Sequence, residues 1–333
     1  MTAGIDAHNH VIPTSCLELA RRDPAGYQVA VERRGALTWL RHAQGYEYEL
    51  QAEFHDPAAK LDRLERASID GAIVSLSPTF FGYWLDREHA EQIVRAANEG
   101  IAAFCARSTE RLRGLGVVPL DDVESAVKEL EYAIQSLGLV GVEIGTNVNG
   151  RSLDDVSFEP FFAAVEALNV PVFIHPSYVG LRAGLEQFYL TNVVGNPVET
   201  TVAGMRLIAG GVLDRHPQLV VGLAHGGGFF PYQLGRLRHA ATVRPELKQP
   251  KRSPMEYKDQ FHFDSITHDP RALRFLIEWA GAERVVLGSD FPFDMADPNP
   301  VETLEQALPD YGEMKDQVMG DNARRIYGFR GKA

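Results

Sequence analysis

His8 and His10 are separated by one residue at the end of an apolar run that begins at Ile5, and two imidazoles so spaced can offer their nitrogens to one metal ion. In an extended strand, side chains alternate between faces and the backbone rises ~3.4 Å per residue, so both rings share a face with Cα atoms roughly 7 Å apart. This pair makes half a metal site. Three further polar residues end apolar stretches. Residues 170–174 run into His175-Pro176, residues 219–224 into His225-Gly226-Gly227-Gly228, and residues 285–288 into Ser289-Asp290. Each alone has a plainer explanation: a core histidine, a tight glycine turn, and a turn or cap aspartate. Their shared place at strand ends points to a metal centre instead.

The remaining histidines lack that placement. His42, His89, His216, His239 and His262 fall before, within or away from the apolar stretches. Asp56-Pro57 and Asp269-Pro270 read as helix starts, with aspartate as cap and proline in the first turn. His268 follows a strand and could face the site, but its neighbours assign it no role.

What must position these groups is an alternation of short apolar strands and amphipathic helices. Strands are expected at the N-terminus and at 72–76, 114–118, 140–144, 170–174, 219–224, 261–264 and 285–288. Helices are expected from about Pro57, over 87–105, over 121–137 with Asp121 and Glu124 at capping-box spacing, over 158–168 and 198–213, from near Phe230, and after Asp269-Pro270. Leu61, Leu64 and Ile69 are expected on the buried face of the helix from Pro57. Eight apolar strands joined by helices imply an α/β fold, a (β/α)8 TIM barrel with strand C-termini converging on one rim. Period-two segments at 27–31 and 46–50, around a polar turn near Arg33-Arg34-Gly35, predict a small antiparallel hairpin inserted at about 26–54 after the first strand. Residues 300–327 add C-terminal helices. No stretch has linker composition, so 1–333 reads as one domain.

Composition narrows the function. With 45% hydrophobic and 23% charged residues the chain can bury a sizeable core, and a net charge of −12 without a basic run argues against nucleic acid. No stretch approaches the apolar length needed to span a membrane, and the N-terminus lacks a basic segment followed by an apolar run. Cys16 and Cys105 lie far apart and read as free thiols, so a cytoplasmic protein is expected.

The chain resembles the amidohydrolase superfamily and, within it, the aminocarboxymuconate-semialdehyde decarboxylase family, essentially from Gly4 to Tyr327. The likeness is carried by Ile5-Asp6-Ala7-His8-Asn9-His10, Tyr83-Trp84, Gly141-Val142-Glu143-Ile144-Gly145-Thr146, Pro197-Val198-Glu199-Thr200-Thr201, Ala224-His225-Gly226-Gly227-Gly228 and Leu287-Gly288-Ser289-Asp290-Phe291-Pro292-Phe293. The resemblance implies one Zn²⁺ held by His8, His10, His175 and Asp290, with His225 as the acid/base residue and Asp290 sharing its proton traffic. Glu143 and Thr146 stand where a bridging lysine would serve a second metal. Co²⁺, Fe²⁺ or Mn²⁺ also suit this donor set. Arg236, eleven residues after His225, matches an arginine that in the family reaches the neighbouring subunit's site and binds substrate carboxylate, which implies a homodimer.

Two departures stand out. Tyr48 falls where the family carries a substrate-binding arginine on the hairpin, and Ser177-Tyr178 replaces a Trp-Asp pair after the third metal histidine. Trp84, Phe293, Tyr48 and Tyr178 are candidate walls of a flat pocket. The expected activity is cofactor-free, metal-dependent decarboxylation of an aromatic acid or a ring-cleavage carboxymuconate-like semialdehyde. The rival is a C–C or amide hydrolase, or a hydratase, because bound Zn²⁺ lowers the pKa of water to about 7. A non-catalytic barrel would have no use for both the ligand set and His225.

Overall fold

The computed structural model describes residues 3–177, 184–247, 250–310 and 312–329. Eight parallel strands carry the architecture: β1 (Ile5–Val11), β5 (Gly71–Leu76), β6 (Leu112–Gly114), β7 (Val142–Gly145), β10 (Val172–His175), β11 (Val221–Leu223), β12 (Phe261–Asp264) and β13 (Val285–Val286). Between them lie β2 (Val29–Arg34), β3 (Leu37–His42) and β4 (Glu47–Glu49), and a two-residue ribbon of β8 (Asn147–Val148) and β9 (Arg151–Ser152). The helices are α1 (Thr14–Arg22), α2 (Pro57–Arg66), α3 (Arg87–Cys105), α4 (Val123–Glu131), α5 (Glu159–Leu168), α6 (Asn196–Ala209), α7 (Val212–Arg215), α8 (Phe230–Val243), α9 (Pro270–Ala280), α10 (Pro300–Ala307), α11 (Gly312–Asp316) and α12 (Asn322–Tyr327).

The parallel strands form two sheets, β1-β5-β6 and β13-β12-β11-β10-β7. Neither seam carries a continuous ladder. A single parallel bridge, Gly116 with Val142, joins β6's extension to β7, and another, Asn9 with Phe291, joins the chain beyond β13 to β1. Backbone bonds from Glu143 N to Gly116 O (2.8 Å) and from Ala7 N to Leu287 O (2.8 Å) support them. Every residue of β1, β5, β7, β10 and β12 is buried, as strands covered on both faces by helices require.

Three local expectations are revised. The hairpin has three strands rather than two, because Leu37–His42 is extended as well and pairs with both neighbours. Asp122, not Asp121, caps α4 by accepting from the amides of Glu124 and Ser125, and Asp121 instead takes Arg151. The α2 face that turns inward carries Lys60 and Leu64, four residues apart, while Leu61 is only half-buried. Asp56 and Asp269 do cap α2 and α9. Cys16 and Cys105 are buried free thiols, and among the described residues no helix is long and apolar enough to cross a membrane.

Candidate metal centre

β1 delivers His8 and His10 to the same side, with their Nε2 atoms 3.1 Å apart. β10 ends at His175, and the turn after β13 supplies Asp290, so the donor atoms of His8, His10, His175 and Asp290 all lie within 4.8 Å of one another. All four are buried.

The outward-facing nitrogens explain why the inward ones are free to bind. His8 Nδ1 donates to Asp264 Oδ2 at 2.6 Å, His10 Nδ1 lies 3.3 Å from Leu76 O, and His175 Nδ1 donates to Pro176 O at 2.8 Å. An imidazole whose Nδ1 carries the proton presents a lone pair at Nε2. Three such lone pairs therefore meet at one point beside a carboxylate. Among the described residues nothing donates to the buried His175 Nε2. Asp290 Oδ1 is 2.9 Å from His10 Nε2 yet lacks hydrogen-bond geometry. A divalent cation completes such a set, and three imidazoles with one carboxylate fit Zn²⁺ or a neighbouring transition metal.

The electrostatics divide the groups. Burial pushes His10 down to about 4, and burial with three neighbouring imidazoles holds His175 well below the ordinary histidine value, so both rings are neutral ligands. Burial is the strongest influence on His8 and disfavours its charge, but Asp264, Asp290 and Glu143 together outweigh it and lift His8 to about 9. Burial works to raise Asp290, and the imidazoles of His10 and His225 overcome it, holding the carboxyl well below its usual range.

His225 stands next to the donor set rather than in it. Its Nε2 is 3.6 Å from Asp290 Oδ2, and its ring centroid is 4.9 Å from that of His175. His225, His268 and Asp290 all have positive φ (57°, 56° and 67°), a region few non-glycine residues occupy and one over-represented at functional sites. Behind His225 the turn requires glycine: a Cβ on Gly228, at φ 60°, would lie 2.3 Å from Pro197 O.

Sequence reasoning missed Asp264. It accepts from His8 Nδ1, from the amides of His225 (2.7 Å) and Gly226 (2.8 Å), and from Ile266 N (3.0 Å), so one carboxylate fixes the His8 ring and the backbone at His225 together. The signal was present, because Asp264 ends an apolar strand just as Asp290 does. Lys60 was also missed. It is fully buried and donates to His10 O at 3.0 Å. Glu143, pushed up to about 8 by burial, accepts from Ser75 Oγ at 3.0 Å.

A cavity of about 760 Å³ opens above the centre, reaching His175, His225 and Asp290. Tyr48, Phe293 and the unassigned His268 line it. Trp84 does not; it packs against the core. Arg236 is exposed on α8 and lies outside this chain's own cavity lining. Tyr178 falls outside the described residues.

The donor cluster, the adjacent histidine and the parallel strand order define a metal-dependent enzyme of the α/β class that groups its chemistry at strand C-termini. The chain belongs to the Amidohydrolase family, whose model matches residues 5–329. It is 35% identical over 98% of its length, and 91% of the relative's, to 2-amino-3-carboxymuconate-6-semialdehyde decarboxylase of Dictyostelium discoideum. The crystal structure of 5-carboxyvanillate decarboxylase from Sphingomonas paucimobilis matches with a TM-score of 0.84 at 26% identity, covering 99% of this chain and 100% of that one. The dihydroxybenzoic acid decarboxylase of Polaromonas sp. JS666, with bound manganese and 2-nitroresorcinol, shares the fold at a TM-score of 0.74 and 21% identity, covering 98% and 97%.

Proposed function

We propose that this chain is a metal-dependent carboxy-lyase acting on an aromatic acid or a carboxymuconate-like semialdehyde. One observation carries the reading: four buried donors surround a single point at the base of the cavity, with His225 Nε2 3.6 Å from the Asp290 carboxylate. His8, His10, His175 and Asp290 hold the ion, with Zn²⁺ as the first choice and Mn²⁺ as the second, since the Polaromonas relative's structure holds manganese. When bound, such an ion supplies Lewis-acid stabilisation for charge developing on substrate oxygen.

The chain's own residues do the rest. Protonated His225 gives its Nε2 proton to the carboxylate-bearing carbon. The bond to the carboxylate then breaks, its electron pair restores the conjugated system, and CO₂ leaves. Solvent reprotonates His225. Asp290, anionic beside it, stabilises the imidazolium before transfer. The two seams read as closure of the eight strands into one barrel domain over 1–333. Arg236, exposed here, is read as a residue that a homodimer brings to the neighbouring site. The expected setting is the cytoplasm.

The test follows CO₂ release and solvent-deuterium incorporation at the vacated carbon, using metal-reconstituted protein and a panel of aromatic acids and ring-cleavage semialdehydes. His225→Asn is expected to lower kcat by about 10²-fold or more while metal content stays at one per chain. Substrate consumption without CO₂ would sink the decarboxylase reading.

A further inference from the structure

Three of the four donors already stand at coordination spacing. His8 Nε2 and His10 Nε2 are 3.1 Å apart, and Asp290 Oδ1 lies 3.6 Å from the first and 2.9 Å from the second. A tetrahedral ion bound at about 2.0–2.1 Å needs donors roughly 3.3 Å apart. His8 and His10 belong to β1, whereas Asp290 lies beyond β13, so this spacing is set across the join between two sheets. Donors this close repel one another once their protons are gone, and the chains that carry them have to be held.

The buried carboxylate of Asp6, two residues before His8, braces that join. β1 shifts register between Asp6 and Asn9. There Asp6 Oδ1 accepts from His8 N at 3.2 Å and from Ser289 N at 3.1 Å, while Oδ2 accepts from Ser289 Oγ at 2.5 Å. Ser289 Oγ in turn accepts from Phe291 N at 3.1 Å, so the hydroxyl spans Asp290, whose φ is 67°. Backbone bonds run alongside, from Ser289 N and Asp290 N to His8 O (3.1 and 2.8 Å) and from His10 N to Phe291 O (2.7 Å). Those bonds join the main chains. The run from Asp6 through Ser289 to Phe291 N adds a side-chain brace around the left-handed turn that carries Asp290.

Lys60 extends the brace from α2. Its ammonium is fully buried and donates to His10 O at 3.0 Å. Burial disfavours charge on both Asp6 and Lys60, and each charge favours the other. Taking a carboxylate and an ammonium out of water is costly, and the hydrogen bonds just named offset it. Asp6, Lys60 and Ser289 all lie outside the described cavity lining.

We propose that Asp6 and Ser289 are positioning residues that set the distance between Asp290 and the two β1 histidines before a metal arrives, with Lys60 fixing the His10 end. They act on the donors and touch neither ion nor substrate.

The experiment binds metal ions alone to the full-length chain, so it rests on the metal centre and stands whatever reaction the enzyme performs. Zn²⁺ affinity is measured by competition with a chromophoric chelator at a fixed pH, and Co²⁺, whose visible bands depend on coordination geometry, reports the donor arrangement. Ser289→Ala removes the hydroxyl, and Asp6→Asn keeps the shape while removing the charge. Each is expected to weaken Zn²⁺ binding about 10–100-fold and to change the Co²⁺ bands, and Lys60→Met to weaken it by at least about tenfold. Because Asp6 and Ser289 act through one bond, the double variant should lose no more than about threefold beyond the worse single one. Asp122→Ala, which removes the cap of α4, is expected to lower the urea midpoint and leave Zn²⁺ affinity and the Co²⁺ spectrum unchanged. A Ser289→Ala chain that loses stability in urea yet binds Zn²⁺ within about twofold of the unsubstituted protein, with the same Co²⁺ spectrum, overturns the proposal. Losses that multiply in the double variant overturn the shared action of the pair. Where Asp6→Asn does not fold, Ser289→Ala and Lys60→Met decide by the same criteria. Failure of the unsubstituted chain to bind Zn²⁺ or Co²⁺ is a different result, which removes the metal centre and the proposal with it.

Discussion

Asp264→Asn tests the reasoning about the metal centre, because two consequences of one carboxylate act in opposite directions. In the metal-free protein Asp264, the largest of the raising influences, acts with Asp290 and Glu143 to lift His8 to about 9 against the depressing effect of burial. Below that pH His8 carries a proton that an incoming cation must expel. At pH 7, about two units lower, the competition weakens metal binding by roughly 100-fold, and apparent affinity climbs by about one log per pH unit toward pH 9. Asparagine keeps the shape but removes the charge that holds the proton, so burial then keeps His8 neutral and that slope flattens. The substitution also loses the carboxylate that orients His8 at 2.6 Å, and losing such a partner typically weakens metal binding 10–100-fold. The variant is therefore expected to bind Zn²⁺ about as well as the unsubstituted protein near pH 7 and about 10–100-fold more weakly near pH 9. Competition with a chromophoric chelator across that range measures both curves. Parallel curves with the same slope would refute the account of Asp264.

Two further outcomes follow from the same structure. His42 is 2% exposed with both ring nitrogens unpartnered among the described residues, and burial pushes it down to about 3. The unfolded chain binds a proton there that the folded one excludes, so His42 lowers stability progressively as pH falls from about 6.5 toward 3. His42→Phe should stabilise by about 1–3 kcal/mol in urea unfolding, with a gain that grows on acidification; a pH-independent or negative change would contradict this. For Arg236, mixing Arg236→Ala with His225→Asn subunits should restore about a quarter of the activity through hybrid dimers if the guanidinium serves the neighbouring site. No recovery after confirmed subunit exchange would return it to an ordinary surface residue.

The strand ends were legible because β strands bury both faces, so a polar residue at the end of an apolar run stands out. His8, His10, His175, His225 and Asp290 were found by that rule, and the structure brings all five together. Asp264 obeys it too and was passed over as part of its strand. Lys60 could not be found that way: in a helix dense with charge, its burial depends on the backbone carbonyl of His10, more than forty residues earlier. The third hairpin strand was obscured because Leu37–His42 places Trp39 and Leu40 side by side and so lacks a clean alternation, while Arg33 and Arg34, which look like a turn, end β2. Trp84 is the opposite case, since an aromatic expected as a cavity wall packs against the core and is absent from the described cavity lining.

The hairpin's independence has a consequence for how such an enzyme diversifies. Strands β2, β3 and β4 pair only with one another, forming a sheet separate from the two that carry the parallel strands. Every metal donor comes from β1, β10 or the turn after β13, and none from the hairpin. The candidate metal donors and the Tyr48 wall of the cavity therefore sit on different hydrogen-bonded modules that meet through the contact of Phe293 with Tyr48. Residues 26–54 supply no donor atom, so a substitution at a cavity-facing hairpin position such as Tyr48 changes the wall of the cavity without replacing a metal ligand.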